Sequence, residues 1–142
     1  MVSDRVGDFI IRLQNAAIVG KKDVSVPYSL YLVAIAKKLK ELGFIETVKT
    51  DKSSEDIRSS GEKEKVQREF YVTLSFNDNG YPKLRGVKRI SKPGQRMYVK
   101  SADLHRVQSG MGLAILSTSN GMMTNIEAKK RHLGGELICE VY

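Results

Sequence analysis

Three alcohol side chains in succession, Ser117-Thr118-Ser119, follow the apolar run 113–116, and Asn120-Gly121 closes the segment. Hydroxyls grouped at a strand end offer donors and acceptors to base edges and to ribose 2′-OH groups, the feature by which a protein tells RNA from DNA. Small side chains also permit close approach to a groove. Upstream, Ser91-Lys92-Pro93-Gly94-Gln95-Arg96 sets a proline and a glycine in one corner. Proline fixes φ and glycine permits a turn, so Lys92 and Arg96 leave the backbone in set directions, as phosphate-binding cations require. An ordinary solvated turn is the competing reading. Tyr98 can stack on a base or ribose, or sit half-buried in a strand. Glu136, after Gly134-Gly135, can orient a neighbouring cation, accept a bond from an RNA hydroxyl, or mark a strand edge.

Hydrolysis is the other chemistry open to Ser117, with His105 and His132 as bases. The spacing argues against it. Gly112-Leu113-Ala114-Ile115-Leu116-Ser117 is not GxSxG, the loop lacks the lysine of a phosphate-cradling GxxxxGK[ST], and neither histidine sits in a carboxylate pattern. The chain is therefore expected not to be an enzyme and to have no small-molecule substrate and no cofactor. A single cysteine, Cys139, excludes an internal disulfide and any CxxC metal site. It lies in the alternating run Leu137-Ile138-Cys139-Glu140-Val141, where it reads as a small buried hydrophobe.

Charge sharpens the expectation of a polyanionic partner. Between Lys83 and Arg106 the chain carries Lys83, Arg85, Lys88, Arg89, Lys92, Arg96, Lys100 and Arg106 against Asp103 alone, +7 of a total of +8. Charge focused in this way makes a local positive potential rather than a diffuse one. Leu84, Val87, Ile90, Met97, Tyr98 and Val99 alternate with the cations, so the segment belongs to a folded surface. No apolar run approaches the roughly 20 residues that span a bilayer. The start Met1-Val2-Ser3-Asp4 has neither the cationic nor the apolar region of a signal peptide. The expectation is a protein without a membrane partner that acts where it is made.

Several elements must position these groups. Val6, Phe9, Ile10, Leu13 and Ala17 recur at helical spacing over 4–18, with Asn15-Ala16 near the end. A second helix starts around Pro27 and Ser29, buries Leu32, Ile35, Ala36 and Leu39, and stops at Gly43; Lys37, Lys38 and Lys40 fall largely on its other face. A strand over 44–48 precedes a polar stretch, 50–65, read as a mobile insertion. Phe70, Val72, Leu74 and Phe76 alternate with polar residues as a half-buried strand, ended by the turn Asn77-Asp78-Asn79-Gly80, so a two-strand meander is expected. Extended chain follows from Lys83 to Ile90, then a short strand at 97–100 and a buried strand at 113–116. Residues 117–121 read as a loop, and Thr124-Asn125-Ile126-Glu127 has capping-box spacing, with Glu127 reaching back, for a short helix ended by Gly134-Gly135. A last strand covers 136–142. The order predicts an α+β protein of two small lobes: 1–80, with helices packed on a short sheet, and 81–142, mostly β with one short helix.

These same residues carry a resemblance. Arg89-Ile90-Ser91-Lys92-Pro93-Gly94-Gln95-Arg96-Met97-Tyr98, Gly110-Met111-Gly112, Ser117-Thr118-Ser119-Asn120-Gly121-Met122-Met123-Thr124 and Gly134-Gly135-Glu136 follow the order seen in the small-subunit ribosomal protein eight family. Asn15-Ala16, Val26-Pro27-Tyr28-Ser29, Ala34-Ile35-Ala36 and Leu42-Gly43-Phe44-Ile45 extend the likeness over nearly the whole chain. The resemblance implies a structural constituent of the small ribosomal subunit that binds central-domain small-subunit rRNA directly, early in assembly, beside neighbours such as ribosomal protein five. It implies that Ser117, Thr118 and Ser119 contact the RNA minor groove and bases, with Ser91, Lys92, Tyr98 and Glu136 around them and Asn15 and Ala16 adding backbone contacts; Arg89, Arg96 and Asn120 complete the expected RNA-binding set. It places the chain on a cytoplasmic ribosome or an organellar one.

Departures from the family pattern are specific. Asn120 stands where lysine is usual, and Gln14, Leu30 and Leu32 stand where basic residues are usual, so Leu30 and Leu32 are expected to pack against a protein neighbour. A non-resident RNA-binding assembly factor or translational regulator is the alternative function.

Overall fold

The computed structural model of the chain describes residues 4–50, 69–107 and 110–142. The expected insertion at 50–65 lies, apart from Thr50, outside them.

Helix α1 (Arg5–Val19) begins where the Asp4 carboxylate accepts a bond from the Gly7 amide, and ends where Gly20 turns left-handed. Strand β1 (Asp23–Pro27) leads to α2 (Leu30–Glu41), β2 (Ile45–Thr50) and β3 (Glu69–Leu74). The first sheet has the antiparallel order β1-β3-β2. It contains one strand more than the expected meander, because β1 offers only Val24 and Val26 as a pattern before Pro27 ends it. In β3 the predicted alternation is realised: Phe70, Val72 and Leu74 are fully buried while Tyr71 is exposed.

The second sheet takes strands β4 (Val87–Arg89), β5 (Tyr98–Val99), β6 (Leu113–Thr118), β7 (Gly121–Thr124) and β8 (Gly135–Val141). Their order is β4-β8-β6-β7, with β5 also on β8, all antiparallel. A 3₁₀ turn (Ser101–Asp103) follows β5, and α3 (Asn125–Lys130) follows β7. Thr124 caps α3 by accepting from the Glu127 amide.

The two faces of this sheet serve different cores. Ala114, Leu116, Met123, Leu104, Val107 and Ala128 form a small interior under α3. Ile115, Ile138 and Val141 join Phe9, Leu13, Ile35 and Phe70 in the larger one, so the two sheets share an interior. Cys139 lies in that shared core, where burial pushes its thiol up to about 12.

Polar ties cross the same boundary. Arg89 pairs with Asp4, the Gln14 amide donates to the Val87 carbonyl, and Lys38 meets Glu127 at 2.7 Å. Lys38 therefore departs from the expected solvent face, and the Glu127 carboxylate bonds across to α2 instead of reaching back to its own cap. Leu32 is 1% exposed, a core residue rather than a docking group, whereas Leu30 is exposed.

Candidate nucleic-acid interface

Strands β4 and β5 run in sequence along one neighbour, β8, with Arg89 opposite Cys139 and Tyr98 opposite Glu136. The residues between them must leave the sheet and return, and this excursion is the basic corner. Lys92 and Gln95 close it with paired backbone bonds of 3.0 Å. Ser91 anchors it from beneath: its hydroxyl donates to Glu136 Oε1 at 2.7 Å and accepts from the Met97 amide at 3.3 Å. Arg96 Nη1 donates to the same carboxylate oxygen at 3.2 Å.

Glu136 also faces β6, directly opposite Ser117. Directly paired residues point to one side of a sheet, so Tyr98, Glu136 and Ser117 line one face across three strands. The corner and the alcohol side chains thus meet at the same end of the second sheet. Close approach is built in, since a Cβ at Gly135 would lie 2.2 Å from the Ser117 carbonyl oxygen.

Residues 117–121 are not a loop. Ser117 and Thr118 are strand residues, and only Ser119-Asn120 form the tip of a tight β6–β7 hairpin in which Thr118 pairs with Gly121. The Thr118 hydroxyl donates to the Gly121 carbonyl at 2.8 Å and accepts from the Asn120 amide at 3.2 Å. These bonds fix the tip and leave the Ser119 and Asn120 side chains exposed.

The predicted residues divide by environment. Lys92, Arg96 and Tyr98 are exposed, Tyr98 to 72%. Ser91, at 3%, is buried beneath the surface that it supports. Arg89 turns inward: its guanidinium binds Asp4 and the Ser91 carbonyl. The other seven cations of the 83–106 segment are exposed. Asn15 and Ala16 lie at the far end of α1, where the Ala16 carbonyl accepts from Lys21; among the described residues no hydrogen bond or ion pair joins them to the Glu136 cluster.

One participant had no local sequence signal. The Tyr31 phenol, at the start of α2, approaches the Ser117 hydroxyl and stands near Glu136 and Arg96. Burial, then the Glu136 charge, raises its pKa above the ordinary tyrosine value. Its position on the helix surface says nothing of a neighbour that lies on β6.

The chain's likeness to known proteins runs along its whole length. The family described as Ribosomal protein S8 matches residues 4–142. The small ribosomal subunit protein uS8 of Nitratidesulfovibrio vulgaris is 39% identical over 142 residues, all of both chains. Those of Rubrobacter xylanophilus and Salinispora arenicola are 36% and 38% identical, over 99% of this chain and 98% of theirs.

Proposed function

This chain belongs to the ribosomal protein S8 family, and from that premise we propose that it is a structural constituent of the small ribosomal subunit whose second lobe binds small-subunit rRNA directly. One observation carries the reading: Glu136 holds Ser91 and Arg96 on one side and faces Ser117 on the other. Phosphate-binding cations and readout hydroxyls are thereby presented to a single folded RNA. Lys92 and Arg96 position the backbone, while Ser117, Ser119 and Asn120 read the groove. Tyr98 supplies an exposed stacking face, and Glu136 and Ser91 hold the corner. Thr118 fixes the hairpin, and Arg89 braces the corner against α1. Asn15 and Ala16 contribute backbone contact from the first lobe.

The RNA partner is a helix of the central domain, bound early in assembly, with ribosomal protein five among the protein neighbours. The site of action is the ribosome, and the role is structural rather than catalytic. Cross-linking the purified chain to small-subunit rRNA and mapping the attached nucleotides tests the reading. Cross-links concentrated in one central-domain helix, from peptides holding 91–98 and 117–120, are expected; scattered attachment overturns it. Retention of one copy per small subunit after a high-salt wash separates a resident protein from an assembly factor, which would wash off.

A further inference from the structure

Away from the basic corner and the hairpin tip, a cleft of about 580 Å³ opens between the end of α1 and the 77–85 segment. Ile18 and Tyr81 stand on its walls, 82% and 69% exposed, while Leu84, at 1%, forms part of the buried floor. Clefts that take small organic groups span roughly 300–1,000 Å³.

An exposed tyrosine on a loose loop would mean little, but Tyr81 is held. The Asn77 side-chain oxygen accepts from the amides of Asn79 and Tyr81, at 3.1 and 2.9 Å, and the Asn77 amide donates to the Tyr81 carbonyl at 2.8 Å. Gly80, at φ 81°, supplies the left-handed residue that closes this turn. Beyond it Phe76 bridges to Pro82, and the Arg85 amide donates to the Tyr142 carbonyl. The backbone beneath the ring is therefore ordered before any partner arrives, and the ring face remains open.

Charge selects the occupant. Arg85 lines the cleft, and Lys83 lies two residues before it in sequence; Lys21 and Lys22 follow α1, with the Lys22 ammonium 5.9 Å from the Phe76 ring. None of the four has an acidic partner among the described residues, and Asp78 is the single acid of the turn. Apolar walls alone would suit a protein neighbour, but an aromatic face beside Arg85, a cation with no acidic partner among the described residues, suits a base with its phosphate.

We propose that this cleft is a second RNA contact, in which one unpaired nucleobase stacks on Tyr81 and its phosphate meets Arg85. The site rests on the rRNA-binding reading above and adds a single-stranded contact, where the end of α1 meets the 77–85 segment, to the helix held by the corner and the hairpin.

Filter binding of the full chain to naked small-subunit rRNA over a salt series tests it. Tyr81→Ala should weaken binding about 5- to 150-fold, the span of one base–aromatic stack, whereas Tyr81→Phe stays within about twofold of wild type. Arg85→Gln should flatten the salt slope by nearly one unit. Ultraviolet cross-linking to 4-thiouridine-substituted rRNA should attach the Tyr81 peptide, which holds the test independent of the variants' folding. If Lys92→Ala weakens binding and neither Tyr81→Ala nor cross-linking registers the cleft, the base site is overturned while the second-lobe reading stands. If wild type fails to bind, the underlying reading falls as well. Equal losses for Tyr81→Ala and Tyr81→Phe would overturn stacking. Full rRNA affinity combined with lost co-sedimentation on assembled subunits would assign the cleft to a protein instead.

Discussion

Lys38 of α2 and Glu127 of α3, 89 residues apart in sequence, meet at 2.7 Å and tie the two helices together. The lysine side chain is only 9% exposed, and it also donates to Glu41 at 3.1 Å. Burial disfavours its charge, but the hydrogen bonds that it donates to Glu127 and Glu41 outweigh that cost and hold its pKa above the ordinary lysine value.

Truncating Glu127 leaves a buried ammonium with one exposed partner. Because Glu127 is itself 42% exposed and Glu41 remains, the loss falls below that of a fully buried pair: Glu127→Ala should cost about 1–3 kcal/mol by urea unfolding. Lys38→Met, which removes charge and desolvation together, should be nearly neutral. Since the folded pKa lies above the unfolded one, this contribution is complete below about pH 10.5 and fades as pH rises through the folded value.

Asp4 reports the second tie with the opposite sign. Its carboxyl is held below the usual value of 3.8, chiefly by the hydrogen bond from Arg89, while it also caps α1. Asp4→Asn keeps a competent cap and removes the charge. Wild type should be the more stable protein at pH 7, and the gap should close as pH falls below about 3.8 through the depressed folded pKa. Urea midpoints at pH 7 and pH 2.5 check this.

At Gly135 the argument is steric. An added Cβ would lie 2.2 Å from the Ser117 carbonyl oxygen, which belongs to strand backbone and has no free side chain that could swing away. Gly135→Ala should therefore displace β6 from β8, cost about 2–4 kcal/mol and weaken RNA binding at the same time. Unchanged thermal stability would show that β6 and β8 do not pack this closely.

How much of this was legible beforehand depended on how local each cause is. Periodicity, with start and stop signals beside it, marks α1, α2 and β3, because Phe9, Leu13, Ile35, Leu39, Phe70 and Val72 repeat at the spacing of the face they bury. Ser117 and Thr118 read as loop because small polar residues are shared by turns and by half-exposed strand positions, and only pairing with Glu136 and Gly121 separates the two. Lys38 looked solvated because its partners' geometry is set by packing between helices distant in sequence. The types of the interface residues were visible as well. Their convergence on Glu136 was not, since it depends on the register of three strands.

The interface predicts two kinds of mutational loss. Lys92 is an exposed cation on the corner, so Lys92→Ala should weaken binding to all RNAs alike and reduce the salt slope by nearly one unit. Ser119 is held at the hairpin tip, and Ser119→Ala should cost about 1–3 kcal/mol on cognate rRNA and little on random RNA, by analogy with base-edge contacts in DNA. Filter binding with both RNAs separates them, and equal losses on each would abolish the distinction.

Strand β8 comes later in the chain than β4, β5 and β6, yet it is the neighbour that all three require. During translation those earlier strands emerge with the edges that β8 covers still unpaired, and the carboxylate that gathers Ser91 and Arg96 has not yet been made. The corner is therefore braced last, when residues 135–141 slot into the gap beside β4 and β5 and bring Glu136 under Ser91 and Arg96.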